Sequence, residues 1–324
     1  MTKPEDSGVS SSRSYALALA PQLIHTRSEL LSQLVSSRAY RQLEFLSVGS
    51  FFIFKPPSEV GAKPTLARIP STREDVFSTT AIPVRAKRQL MKFLKFVLDY
   101  EGDEQAPVWR PHADEPLSDF LETAFGLAEE LKAYILTLTL SLDGKISVEH
   151  GLATISRHLT SMGMLGPGFA AVYPKWGGTS EISQVACRAG AVGGAVYMLG
   201  IGIDEVQSTS ASDHAMQIRL TSGVVVKAKS LVRGTDETDE ECKRLARLIA
   251  VVGSPLPSLF QAVVEGAPTP AVAVVAFPPG STAQNDTHPI YAFAHSNDTG
   301  ECPAGQSKLH LPPSQPPSTM MIPT

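Results

Sequence analysis

The stretch from Tyr173 to Met198 constrains this chain most tightly. Pro174, Gly177 and Gly178 break any regular element before it. Thr179 and Ser180 are residue types that cap helix N-termini by accepting from free backbone N–H groups. Ile182, Val185, Ala186 and Ala189 then fall at i, i+3, i+4 and i+7, the spacing of one buried helical face. Glu181, Gln184 and Arg188 fall on another face. Glu181 also sits in the first turn, where the helix dipole favours an anion. Gly193 and Gly194 end the helix, since glycine tolerates the left-handed cap. Ala195 to Leu199 reads as a short buried strand. The expectation is turn, helix, break and strand, with an acid and a base on one exposed face. On an arbitrary helix such a face is solvated surface.

At 324 residues the chain is long enough to bury a substantial core, and two domains are expected. A composition 43% hydrophobic and 19% charged belongs to a globular protein rather than a disordered one. The net charge of -4 carries no signal for nucleic acid or an anionic membrane surface. No apolar run reaches the roughly 18 residues a spanning helix requires. The N-terminus is polar and Ser-rich, without an apolar signal core, so cytosol is the expected location. Cys187, Cys242 and Cys302 are odd in number and far apart, which argues against a disulfide framework or a zinc site.

Along the chain, residues 1–14 read as disordered. Tyr15 to Leu34 has helical apolar spacing through Leu17, Leu19, Leu23, Ile24, Leu30, Leu31 and Leu34, with Pro21 starting the main helix. Leu43–Leu46, Ser50–Phe54 and Leu66–Ile69 read as strands, and Ser71–Phe77 as a capped helical turn. Leu90, Phe93, Leu94 and Val97 mark an amphipathic helix. One long helix is expected over Leu117–Leu142 and another over Ser147–Met162. Further strands are expected at Gly202–Gln207, His214–Leu220 and Val224–Ala228, the last two joined by a Thr221-Ser222-Gly223 hairpin turn. A helix follows at Glu237–Ala246, then strands at Leu245–Val251, Val272–Phe277 and Ile290–His295. Residues 306–324 read as a disordered, Pro-rich tail.

Three of these segments resemble one family in their wording. They are Lys87 to Val97, the Tyr-Pro-x-aromatic-Gly turn with Glu181, Arg188, Gly193, Gly194, Tyr197 and Met198, and the run from Ile290 to Pro303 with its Asp-Thr-Gly-Glu-Cys-Pro ending. The string resembles the Rab escort protein and Rab GDP-dissociation inhibitor superfamily, and its wording is most similar to fungal escort proteins. The resemblance implies an α/β (α+β) fold: an incomplete FAD/NAD(P)-binding-like domain of the inhibitor type with an inserted helical domain. Residues 15–87 and 165–305 would form the mixed sheet domain and Rab-binding platform. Residues 88–164 would form the helical domain on the side of the prenyl lipid and prenyltransferase. The family's opening strand and G-x-G-x-x-G turn have no counterpart in this sequence, so an N-terminal dinucleotide-fold segment is expected to be lacking.

The same resemblance implies the function and the site. The chain would bind GDP-bound Rab GTPases, present them to Rab geranylgeranyltransferase, and shelter the geranylgeranyl groups during delivery to membranes, with only transient membrane contact. Glu181, Gln184, Arg188, Met198 and Tyr173 are the candidate Rab-binding residues, and Phe169 to Tyr173 is a candidate contact loop. No catalytic residue, cofactor or metal is implied. The residues themselves agree. His150 and His158 lie eight apart, too far for one metal site without other ligands, and nothing in the sequence orients His295, Asp298 and Cys302 as a nucleophilic set. Two rival readings stay open from sequence: a flavin-dependent oxidoreductase, disfavoured without the glycine fingerprint, and a remnant that binds no Rab.

Overall fold

The computed structural model describes residues 9–19, 21–57, 59, 61–70, 76, 82–208, 216–233, 247–282 and 288–311. Its strands are β1 (Ile24–His25), β2 (Phe45–Lys55), β3 (Thr65–Arg68), β4 (Ala171–Pro174), β5 (Ile203–Ser208), β6 (Met216–Leu220), β7 (Val225–Ala228), β8 (Leu248–Val252), β9 (Val272–Phe277), β10 (Ile290–Ser296) and β11 (Ser307–Leu311). Its α-helices are α1 (Glu29–Ser36), α2 (Val84–Leu98), α3 (Ala106–Trp109), α4 (Leu117–Phe125), α5 (Glu129–Thr139), α6 (Val148–Ser161) and α7 (Thr179–Val192). The class is α/β, as expected. Among the described residues no helix is long and apolar enough to cross a membrane.

By contact the chain divides into two compact units, Met1–Val185 with Leu245–Thr324, and Ala186–Arg244. The first is built on an eight-stranded sheet ordered β1-β4-β2-β9-β10-β11-β8, with β3 also paired to β2. β2 and β9 run parallel, and the other pairs are antiparallel. Period-two alternation explains how both faces become buried. Phe51, Ile53, Val274, Ala276, Tyr291 and Phe293 point to one side, where α2, α4, α5 and α6 complete the main core. Phe52, Ala273, Val275, Ala292 and Ala294 point to the other, where Leu259 and Phe260 cover them. The helices of 84–161 therefore share their core with the sheet. The second unit holds the antiparallel sheet β5-β6-β7.

Several expected elements are drawn differently, each for a local reason. The helix expected from Tyr15 is confined to Glu29–Ser36: β1 pairs with β4, and Ser28 Oγ accepts from the Leu31 N–H to start α1 only there. Leu17 and Leu19 are exposed rather than on a buried helical face. The two strands expected within 43–54 are one strand, β2, whose pairing with β9 shifts register between Val48 and Phe51. The single helix over Leu117–Leu142 is two. Gly126 takes the left-handed conformation at φ 63°, where its N–H caps the Glu122 and Leu121 carbonyls, and this position favours glycine because it has no Cβ. The 306–324 tail is not uniformly irregular: Ser307–Leu311 is β11, between β10 and β8. The short strand expected at Ala195–Leu199 is absent. Val196 and Leu199 are exposed there, and no strand pairs with the segment among the described residues. The expected turn at 71–77 (apart from Val76), the helix at 237–246, Cys242 and the tail beyond Leu311 lie outside the described residues.

Candidate functional site

Parts of the two most distinctive sequence segments, residues 173–176 and 295–301, meet in the first unit. The backbone N–H of Trp176 donates to the Thr299 carbonyl at 2.8 Å. Trp176 itself sits at φ 79°, a left-handed conformation that costs a non-glycine residue about 1–2 kcal/mol. Its ring lies against Gly300, where an added Cβ would stand 2.2 Å from Trp176 Cε3. Gly300 also takes φ 74°, so both its backbone and its neighbour call for glycine. Lys175 Nζ sits 4.8 Å from the Trp176 ring centroid and 2.8 Å from Glu44 Oε1.

Beneath this turn lies a fully buried polar cluster. Tyr173 Oη donates to Glu301 Oε1 at 2.8 Å. Glu301 Oε2 accepts from His295 Nδ1 at 2.6 Å and from Lys308 Nζ at 2.7 Å. Lys308 Nζ also donates to the Ala16 carbonyl at 2.7 Å, and the Ala16 N–H donates to the Glu301 carbonyl at 3.1 Å. Burial pushes the Glu301 carboxyl up, but His295 and Lys308 together outweigh it and hold the group at about 2. Glu301 is therefore an anion accepting three hydrogen bonds, the arrangement that makes a buried charge tolerable. Burial also keeps His295 and His310 neutral, His310 at about 3.

His295, Glu301 and His310 bring one ligand atom each within 4.8 Å of one another, and the Nε2 atoms of both histidines have no hydrogen-bond partner. The spacing alone would suit a metal. However, both Glu301 oxygens are already engaged, and the Lys308 ammonium stands where a second cation would be repelled. The cluster is an anchor. The sequence trio of His295, Asp298 and Cys302 is not assembled for nucleophilic chemistry. His295 turns to Glu301, Asp298 pairs with Ser296, and the Cys302 thiol, pushed up by burial, faces the Gln306 carbonyl at 3.5 Å.

This anchor determines where α7 starts. The helix begins at Thr179, so Thr179 and Ser180 lie within its first turn, and Ser180 Oγ donates to the Gly177 carbonyl rather than capping an N–H. Glu181 is half-buried and accepts from Gln184 Nε2 at 2.9 Å, while Gln184 is exposed. Val185 is buried and Ile182 half-buried, as the spacing implied, but Ala186 and Ala189 are exposed. In the second unit Arg188 is exposed and Met198 is 47% exposed. Gly193 and Gly194 end the helix as expected. Tyr173 stands apart from the other candidates. It lies in β4 at 0% exposure and spends its hydroxyl on Glu301, so it does not present a side chain to a partner. Phe169 to Tyr173 is likewise buried rather than a contact loop, because β4 pairs with β1 and β2.

Sequence reasoning missed Glu301 as the hub and Lys308 altogether. The alternation Ser307-Lys308-Leu309-His310-Leu311 was the available signal, obscured by the prolines that follow. It also missed a cavity of about 730 Å³ between the sheet and the helices of the first unit. Phe51, Ile69, Leu90, Ile135, Leu159 and Phe169 contribute apolar surface to its wall. His158 lines it too, without a hydrogen bond among the described residues. Its ring stands edge-on to His25 and Phe51, and burial holds it neutral at about 3.

Residues 1–264 match the family model described as GDP dissociation inhibitor. A Saccharomyces cerevisiae protein named Rab proteins geranylgeranyltransferase component A is 30% identical over 309 residues, which cover 94% of this chain and 49% of the yeast protein. The Candida albicans protein of the same name is 28% identical over 309 residues, covering 91% of this chain and 46% of its own length. This chain spans about half the length of these curated relatives. Among solved structures, a Rab GDI from Plasmodium falciparum matches with a TM-score of 0.67 at 14% identity, over 95% of this chain and 69% of that one. At that identity the likeness concerns the fold.

Proposed function

Because this chain belongs to the GDP dissociation inhibitor family, we propose that it is a non-enzymatic, cytosolic partner of GDP-bound Rab GTPases, acting in the escort manner. The observation that carries this reading is the anchored turn. Trp176 on Gly300 and Tyr173 on Glu301 fix the start of α7, so Glu181 and Gln184 are held ready to bind without further ordering. In this reading Glu181 and Gln184 in the first unit, and Arg188 and Met198 in the second, each contact the switch regions of the partner. Tyr173 acts through Glu301, as a positioning residue.

Escort adds two tasks, presentation of the Rab to the prenyltransferase and shelter for its lipid. The relatives named as geranylgeranyltransferase components support the first. The cavity of about 730 Å³ supports the second, since it lies within the roughly 300–1,000 Å³ of small-ligand sites and its wall is largely apolar. At about 0.8 kcal/mol per buried CH₂, a C20 chain supplies well over 10 kcal/mol before ordering costs.

The test is a binding titration of the purified chain against a Rab loaded with GDP or with a GTP analogue, alongside the Glu181→Ala/Arg188→Ala double variant. Tighter binding to the GDP form, weakened tenfold or more by the double variant (about 1.4 kcal/mol), supports a working platform. No binding to either form by the folded chain refutes it and leaves the remnant reading.

A further inference from the structure

The cavity mouth carries a charge pattern that shelter of a protein-linked hydrocarbon does not explain. Arg88, Lys92 and Lys95 line it at i, i+4 and i+7 of α2, so they occupy one face over about 10 Å of helix. All three are exposed. None has an ion-pair partner among the described residues, and Lys92 Nζ lies 5.6 Å from the Phe125 ring centroid. Like charges four apart on a helix destabilise it by a few tenths of a kcal/mol. The helix dipole compensates only Lys95, in the last turn, and α2 has no acidic residue in its first turn. Three cations are thus held together beside an apolar cavity with nothing among the described residues to neutralise them. Behind them the described residues of the wall add no charge, since His158 is neutral.

We infer that the cavity also takes a free isoprenyl diphosphate, with its hydrocarbon along the apolar wall and its diphosphate between Arg88, Lys92 and Lys95. The inference rests on the reading of this cavity as an isoprenoid site. It adds a recognition that an attached chain cannot use, because a lipid joined through a thioether has no anion at that end. A head of two or more charges fits three cations better than a carboxylate does, and Arg88 can hold phosphate oxygens bidentately.

Calorimetric titration of the full chain with geranylgeranyl diphosphate, geranylgeraniol and palmitate, each below its micelle concentration, tests this. The expected result is diphosphate binding at least tenfold tighter than the alcohol, with an advantage that shrinks as NaCl rises from low to high concentration. In the Arg88→Ala/Lys92→Ala/Lys95→Ala variant the advantage falls below threefold, with alcohol affinity unchanged. Should that variant fail to fold, the salt dependence of the unaltered chain decides the matter. Alcohol and diphosphate binding equally well overturns the inference while leaving the isoprenoid cavity in place, as does palmitate binding as tightly as the diphosphate. Failure of both isoprenoids to bind removes the cavity reading itself, and the inference with it.

Discussion

Replacing Glu301 by leucine removes the hub of the buried cluster while keeping similar volume. In the native chain the Lys308 ammonium is 0% exposed and has two acceptors, Glu301 Oε2 and the Ala16 carbonyl. After Glu301→Leu it retains only a neutral carbonyl, and His295 Nδ1 and Tyr173 Oη lose their acceptor as well. Breaking a buried pair from one side costs about 3–5 kcal/mol, because the surviving charge stays desolvated. Against a total stability of about 5–15 kcal/mol, that is a large fraction. Lys308→Met costs less, about 1.5–3 kcal/mol, since Glu301 keeps His295 and Tyr173 as donors. The double variant removes both charges, so its loss is smaller than that of Glu301→Leu alone. Equilibrium urea unfolding, followed by circular dichroism on all four proteins, reads these differences. A loss below 1 kcal/mol for Glu301→Leu, or strict additivity in the double variant, refutes the account of the cluster as a compensated buried charge.

Gly300→Ala forces a Cβ into the Trp176 ring and strains a left-handed backbone, so it lowers stability by about 1–3 kcal/mol and, under the proposed function, weakens Rab affinity through the displaced start of α7. An unchanged urea midpoint together with unchanged Rab affinity counts against the anchored turn. Acid destabilises the fold in a defined window. His158 and His310, at about 3, stay unprotonated in the native state while unfolded histidines take up protons near pH 6.5. Stability therefore falls as pH drops from about 6.5 toward 3, by up to about 1.4 kcal/mol per pH unit for each histidine. Glu301, at about 2, acts in the same direction: its contribution is present above the unfolded pKa of about 4.3 and is lost as pH falls toward 2. A urea midpoint equal at pH 7.5 and pH 5 contradicts this assignment. Leu159→Trp intrudes on the cavity from α6 and lowers the proposed isoprenoid affinity at least tenfold, whereas undiminished affinity places the lipid elsewhere.

Elements defined by local chemistry were legible in the sequence. The α7 helix and its Gly193-Gly194 stop follow from spacing and glycine, and Val272–Phe277 from a continuous apolar run. Where the outcome depended on a distant partner, legibility failed. Leu17 and Leu19 share helical spacing with Leu30 and Leu34, but pairing of Ile24 and His25 with β4 draws the chain out extended before Ser28. Ala195 to Leu199 has strand composition, yet a strand requires a neighbour to take its backbone hydrogen bonds, and none pairs there among the described residues. Tyr173 shows the same limit at the site. Its family wording is apparent from the sequence, but its burial against Glu301 is not.

The sequence by itself determined the family, the α/β class and the residues that α7 presents, because turn chemistry and helical period act over a few residues. Tertiary structure alone decided that segments over 120 residues apart share one buried anion, through the Tyr173–Glu301 hydrogen bond spanning 128 positions. It also decided that β2, α2, α5 and α6 enclose a cavity. The reason is physical: burying a charge or enclosing a volume requires groups from several elements at once, and no local pattern encodes which distant segments will converge.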